Sequence, residues 1–243
     1  MFSVGAIAAS LALLGGIIPA FVWLSFWLYE DKKHPEPRNL IVLAFLTGMI
    51  AVAPVLPLQG FAIQFIPMSF GLIVVWAAIE EILKLILAYA TVLRRHALDE
   101  PIDYPMYMIT VALGFAALEN ALFLLSPLSQ GHITESIVTG DLRFIGATLI
   151  HVLSSAVVGG ALAFSFYREG VLKIWYGCAG VILAVALHAF FNFLIISTGA
   201  DRLLTVFLGV WVGIIMLLLT LERVKKIYRP QWWEKAFTRK PTT

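Results

Sequence analysis

Glu80, Glu81, Lys84, Glu119, Asn120, His151, His188 and Asn192 are the strongly polar side chains that fall inside long apolar stretches of this 243-residue sequence. Carboxylates and imidazoles in such places transfer protons, hold a metal or line an ion path. Their spacing constrains them. Glu80, Glu81 and Lys84 share one segment, and His188 and Asn192 stand one helical turn apart on a common face. A charged side chain at the centre of a membrane helix costs about 2.5–3.5 kcal/mol, so each requires a partner or a function. The plain readings are clear. Glu80 and Lys84 have the favoured i,i+4 order for a helix ion pair, and Glu119–Asn120 suits a hydrogen-bonded link between helices. Ser154, Ser155, Gly159 and Gly160 read as small-residue packing.

The segments that must position these groups are membrane helices. Hydrophobic residues make up 60% of the chain and charged residues 13%, about half the charged fraction of soluble domains; mean hydropathy is +0.92. A soluble catalytic domain, a nucleotide loop and a thiolate metal cluster are excluded, and no nucleic-acid partner is expected. The single cysteine, Cys178, gives no disulfide framework. The apolar run over 4–28 lacks a basic leader and exceeds the length of a cleavable signal. The fold class expected is an all-α polytopic transmembrane helical bundle of about seven spans: 4–28, 39–58, 69–93, 105–125, 144–166, 173–197 and 203–221. Residues 126–143 read as the longest external connector.

Orientation follows from the basic residues. Of the 17 Lys and Arg, Lys84 lies within a span and only Arg143 and Arg202 fall on one side. Lys32, Lys33, Arg38, Arg94, Arg95, Arg168, Lys173 and the basic tail fall on the other. The positive-inside rule then sets the N-terminus outside and the C-terminus in the cytoplasm. Residues 1–221 form the expected membrane domain and 222–243 a basic, aromatic cytoplasmic tail. Tyr228, Trp232, Trp233 and Phe237 interleave with its cations, which suits either a segment lying on anionic lipid or a solvated topology signal.

Depth tests whether the polar groups belong together. At about 1.5 Å of rise per residue, Glu80 lies ~18 Å below the outer surface, Glu119 and His151 ~10 Å, and His188 ~13 Å. Helices of alternating direction thus carry their polar residues in one layer between the outer surface and the midplane. Convergence on one pocket is the expectation.

These residues form a recognisable set. Glu80-Glu81-x-x-Lys84, Gly114-Phe115-Ala116-x-x-Glu119-Asn120, His151 and His188-x-x-x-Asn192 resemble the four motifs of the PrsW family of intramembrane proteases. Tyr29-x-Asp31, Pro35-Glu36-Pro37, Asp99-Glu100-Pro101-x-Asp103 and Arg143 fit as well, so the resemblance covers about 30 to 195. The family is similar to the CAAX prenyl endopeptidases and bacteriocin-immunity-type proteases, which carry Glu-Glu-x-x-x-Arg and Phe-x-x-x-His. Here Lys84 comes one residue earlier than that Arg, and Glu119 replaces that His.

The resemblance implies site-1-like cleavage of single-pass membrane substrates such as anti-sigma factors, by a multi-pass protein of a bacterial inner membrane. Two mechanisms stay open. In a glutamic scheme Glu80 or Glu81 is the general base, Lys84 keeps its partner ionised, His188 and Asn192 donate to the oxyanion, and Glu119 and His151 orient water or move protons. In a zinc scheme His151, His188 and Glu119 ligate Zn²⁺ and one of the paired glutamates activates water. The competing classes are a proton- or ion-coupled transporter and a catalytically inactive membrane scaffold. No repeat symmetry supports the transporter.

Overall fold

The structure, a computed structural model, describes residues 4–32, 35–197, 203–228 and 230. Among them the chain is helical throughout. The elements are α1 (Val4–Glu30), α2 (Arg38–Phe65), α3 (Phe70–Thr91), α4 (Asp103–Ser129), α5 (Ile133–Leu142), a π-helical turn (Arg143–Ala147), α6 (Thr148–Phe164), α7 (Val171–Ser197) and α8 (Leu203–Val224). Six helices are long and apolar enough to cross a membrane, α5 and α6 counting as one continuous helix through the π turn. The seventh, α3, has 22 residues and an outward face of Phe70, Ile82, Ile86 and Tyr89. Its three charges point inward, so the bundle is polar at its heart and oily at its rim.

α4 is the hub. Residues 103–117 of this helix are buried on every side, the pattern of a helix surrounded by others. α1, α2 and α6 pack around it, while α3 is wedged between α2 and α7. Two glycines let α2 and α4 touch backbone to backbone. A Cβ on Gly48 would lie 1.9 Å from Val111 O, and one on Gly114 the same distance from Phe45 O. α8 joins last, laying the stripe Val206, Val210, Ile214, Leu217 and Leu221 against the bundle with helical periodicity.

Two expected boundaries shift. The second span continues two turns beyond residue 58 to Phe65, carrying Pro54 and Pro57 inside the helix. At about 1.5 Å per residue it is longer than the hydrocarbon core, and proline inside a membrane helix is tolerated where the freed backbone groups find other partners. The 126–143 connector is mostly helix: α4 runs to Ser129 and α5 begins at Ile133. Trp23 Nε1 donates to Phe144 O at 3.3 Å, giving a carbonyl of the π turn a partner. Lys33, Arg202, Arg229 and the expected lipid-facing tail with Trp232, Trp233, Lys235, Phe237, Arg239 and Lys240 lie outside the described residues.

The ends of α1, α6 and α8 meet the 94–102 connector at one end of the bundle, around a cleft lined by Asp31, Asp99, Glu100, Tyr167, Glu222 and Lys225. The basic connectors therefore share an end. There the Tyr107 hydroxyl donates to Glu36 Oε2, and Glu36 is also hydrogen-bonded to Asp103. Asp103 Oδ2 accepts from the backbone N–H of Asp99 at 2.9 Å and of Glu100 at 2.7 Å. Burial, reinforced by Asp31 and Asp99, raises the Glu36 pKa above its ordinary 4.5, against the pull of its bonds to Asp103 and Tyr107. A carboxyl raised in the folded state stabilises fully below its unfolded pKa and loses that contribution as pH rises through the folded value. The melting temperature of detergent-solubilised protein is therefore expected to fall as pH rises above the ordinary carboxylate value of 4.5, and Glu36→Gln to flatten that slope.

Candidate active site

At the middle of α3 the sequence places three charges within five residues, and the surrounding helices are arranged to meet them. Glu81 Oε1 accepts from Lys84 Nζ at 2.7 Å and Ser154 Oγ at 2.8 Å, and lies 2.8 Å from His188 Nδ1. Ser155 Oγ donates to Oε2 at 3.2 Å. The Glu81 and Lys84 side chains are 0% exposed. The ion pair is thus i,i+3 to Glu81, not the i,i+4 pair with Glu80 that spacing suggested. Ser154 and Ser155, expected only as packing residues, act as donors to a buried carboxylate. Gly159 does pack, since a Cβ there would lie 2.4 Å from Pro105 Cα, but one on Gly160 would meet nothing within 4 Å.

Glu80 is treated differently. Its Oε1 accepts from Gln59 Nε2 at 2.8 Å, and its Oε2 is buried with no hydrogen-bond partner among the described residues. That oxygen faces two imidazoles, with His188 Nε2 at 3.6 Å and His151 Nδ1 at 3.9 Å. Each ring is held from behind by another carboxylate: His188 Nδ1 by Glu81 and His151 Nε2 by Glu119 Oε2 at 3.0 Å. A neutral imidazole carries its proton on the nitrogen that meets a carboxylate, which leaves the other nitrogen as a lone pair. Both lone pairs and the free oxygen of Glu80 therefore converge. The rings meet edge to face at 4.8 Å between centroids, and Lys84 Nζ stands 3.4 Å from His151 Nδ1.

Toward the C-terminal end of α4 and the N-terminal end of α6 lies a second tier. Arg143, from the π turn, donates to Glu119 Oε2 and, through Nε at 2.5 Å, to Asn120 Oδ1. Asn120 Nδ2 donates to Thr148 Oγ1 at 3.0 Å. The guanidinium also covers the Phe123 ring at 3.8 Å. Glu119 and Arg143 keep 19% and 15% of their side chains exposed, against 6% for Glu80 and 3% for His151. This pair is the more exposed part of the cluster. Of the expected site residues, Glu80, Glu81, Lys84, Glu119, Asn120, His151 and His188 join one contiguous network. Asn192 is half-buried one turn beyond His188 and makes no hydrogen bond among the described residues.

Comparison with known proteins adds the decisive observation. A sequence model described as PrsW family intramembrane metalloprotease matches residues 36–220, well over half of the chain. The chain belongs to the PrsW family. It is similar to Protease PrsW of Geobacillus kaustophilus, 27% identical over 221 residues covering 87% of this chain and 88% of the relative. Protease PrsW of Bacillus subtilis is 25% identical, covering 74% of this chain and 80% of the relative. That of Oceanobacillus iheyensis is 28% identical, covering 75% and 82%. No solved structure matches. As a PrsW member with this helical content, the protein is an intramembrane protease and a multi-pass protein of a bacterial membrane.

The family description implies a metal, and the residues fit one. Glu80, His151 and His188 each offer a ligand atom, all within 4.8 Å of one another, and two imidazoles with a carboxylate are a known catalytic zinc set. The carboxylate that converges is Glu80; the Glu119 of the sequence-based zinc set stands behind His151 and in contact with Arg143. Three carboxylates face two fixed cations here, Lys84 and Arg143, so the cluster has one negative charge to spare for an incoming cation. The two adjacent glutamates should separate in stability measurements. Glu81→Ala strands Lys84 and is expected to cost about 3–5 kcal/mol or abolish folding, as for other broken buried pairs. Glu80→Gln is expected to melt close to the wild type, by thermal denaturation in detergent.

Proposed function

We propose that this chain hydrolyses a peptide bond of single-pass membrane proteins, anti-sigma factors being the class the PrsW resemblance suggests, in the outer half of the bilayer. The N-terminus is then outside and the C-terminus cytoplasmic, in keeping with the distribution of Lys and Arg. The reading is carried by one observation: Glu80 Oε2, buried and unpartnered among the described residues, faces the lone pairs of His151 and His188.

A water seated between Glu80 Oε2 and His188 Nε2 has its two protons directed at them and its own lone pair free to attack a carbonyl, while the His151 Nδ1 lone pair accepts from Lys84. Glu80 takes the first proton from the water as general base. His188 Nε2, 3.6 Å from Glu80 Oε2 and backed by Glu81, receives that proton and delivers it to the leaving nitrogen as the C–N bond breaks, which returns both groups to their starting states. His151 keeps its inward tautomer because Glu119 accepts from Nε2, and Arg143 fixes Glu119. Lys84 neutralises Glu81 and stands beside His151, where its one remaining N–H bond serves negative charge developing on the substrate oxygen. Asn192, one turn beyond His188 on the same face of α7, serves the substrate backbone rather than the water. If a divalent metal is resident, Glu80, His151 and His188 hold it, and it supplies Lewis acidity toward water and the scissile carbonyl.

The test is cleavage of a single-pass reporter by purified protein in liposomes. Glu80→Gln, His151→Ala and His188→Ala are each expected to lower kcat by at least about 100-fold, the scale of losing a general base or its support. Cleavage by Glu80→Gln at the wild-type rate overturns the assignment. Loss of activity on chelation, restored by Zn²⁺ at one equivalent, assigns the metal scheme; activity indifferent to chelator assigns the glutamic one.

A further inference from the structure

We infer that Gln59 is a positioning residue for the proteolytic carboxylate, holding Glu80 by one oxygen so that the other stays turned to the histidines. The inference rests on the reading of Glu80 as the working acid. Gln59 Nε2 donates to Glu80 Oε1 at 2.8 Å, and among the described residues this is the sole hydrogen bond that the Glu80 side chain makes. Glu81, one residue along, has four polar neighbours. Without Gln59 nothing of comparable strength sets the Glu80 rotamer.

The backbone that carries this amide is itself anchored. Trp76 stands one turn before Glu80 on α3, and its Nε1 donates to Gln59 O at 3.3 Å. Helices α2 and α3 are thus tied at two points. The indole grips the α2 backbone, and the α2 amide grips the carboxylate on the next turn of α3. The arrangement also decides which carboxylate oxygen works. A carboxylate with both oxygens free can swing about its terminal torsion, which is broad for glutamate. One held at Oε1 presents Oε2 in a single direction. Displacement of a catalytic group by about 1 Å can cost on the order of 100-fold in rate.

Reporter cleavage in liposomes by Gln59→Leu, similar in size but without a donor, gives the primary test. A drop in kcat of about 10- to 100-fold is expected, the range for a hydrogen bond to a charged group, with KM within about twofold and the melting temperature close to wild type. Trp76→Phe is expected to lower kcat in the same direction but less. If Gln59→Leu does not fold, Gln59→Asn carries the test: its amide is drawn back by one methylene, and reduced kcat at unchanged stability is again expected. A kcat within twofold of wild type, or a fall matched by the loss of folded protein, overturns the inference. Glu80→Gln run in parallel separates the two failures. If it is inactive while Gln59→Leu is normal, only the role of Gln59 falls; if it is fully active, the reading of Glu80 falls first.

Discussion

Everything in this bundle answers to the solvation of Glu81. A carboxylate and an ammonium, both removed from water, are tolerable only where their lone pairs and protons are met, and no single helix can supply that many partners. Lys84 comes from α3 itself, Ser154 and Ser155 from α6, and His188 from α7. The buried charge therefore specifies which helices surround α3 and at what height. The glycine contact between α2 and α4 and the wedge of α3 between α2 and α7 then carry Gln59 to Glu80.

From that requirement follows the division between two neighbouring glutamates. Successive residues on a helix point about 100° apart. Glu81 faces the α6–α7 seam and is saturated, whereas Glu80 faces α2 on one side and the imidazoles on the other. The saturated one fixes structure and orients His188. The under-satisfied one is left where chemistry can use it, in keeping with the tendency of protein interiors to leave polar groups unpaired chiefly at working sites. Glu119 repeats the supporting role for His151, with Arg143 in the place that Lys84 takes beside Glu81.

Much of this was legible in the sequence because charge inside an apolar run is costly enough to be conspicuous. The depths of Glu80, Glu119, His151 and His188, counted along alternating helices, already put them in one layer, and they are in contact. Gln59 was lost to a boundary. Pro54 and Pro57 fall in the last turn of the expected 39–58 span, yet α2 runs on to Phe65, and the glutamine lies inside it. Ser154 and Ser155 were hidden by a different ambiguity, for a small hydroxyl suits close packing and carboxylate solvation equally. Helical phase accounts for the Lys84 pairing. Spacings of three and four both place side chains within reach, and only the tertiary position of His188 and the serines draws Lys84 to Glu81 rather than Glu80. The α5 helix escaped because polar Thr134, Glu135, Thr139 and Asp141 interrupt its apolar residues and its 10 residues are too few to read as a span.

Lys84 also reconciles the two chemistries that this geometry accommodates. Its ammonium approaches His151 Nδ1 at 3.4 Å, the nitrogen that converges with Glu80 Oε2 and His188 Nε2, but its short bond is the 2.7 Å contact to Glu81. The weak contact can be surrendered while the strong one holds. A cation entering among the three lone pairs would displace Lys84 from the imidazole by a small rotation, with Glu81 still neutralised and His188 still oriented. With water there instead, the ammonium stays where it is and donates to the imidazole. In either case the carboxylates behind the histidines do the same work: they keep the ring protons turned away, so that whatever occupies the centre meets lone pairs only.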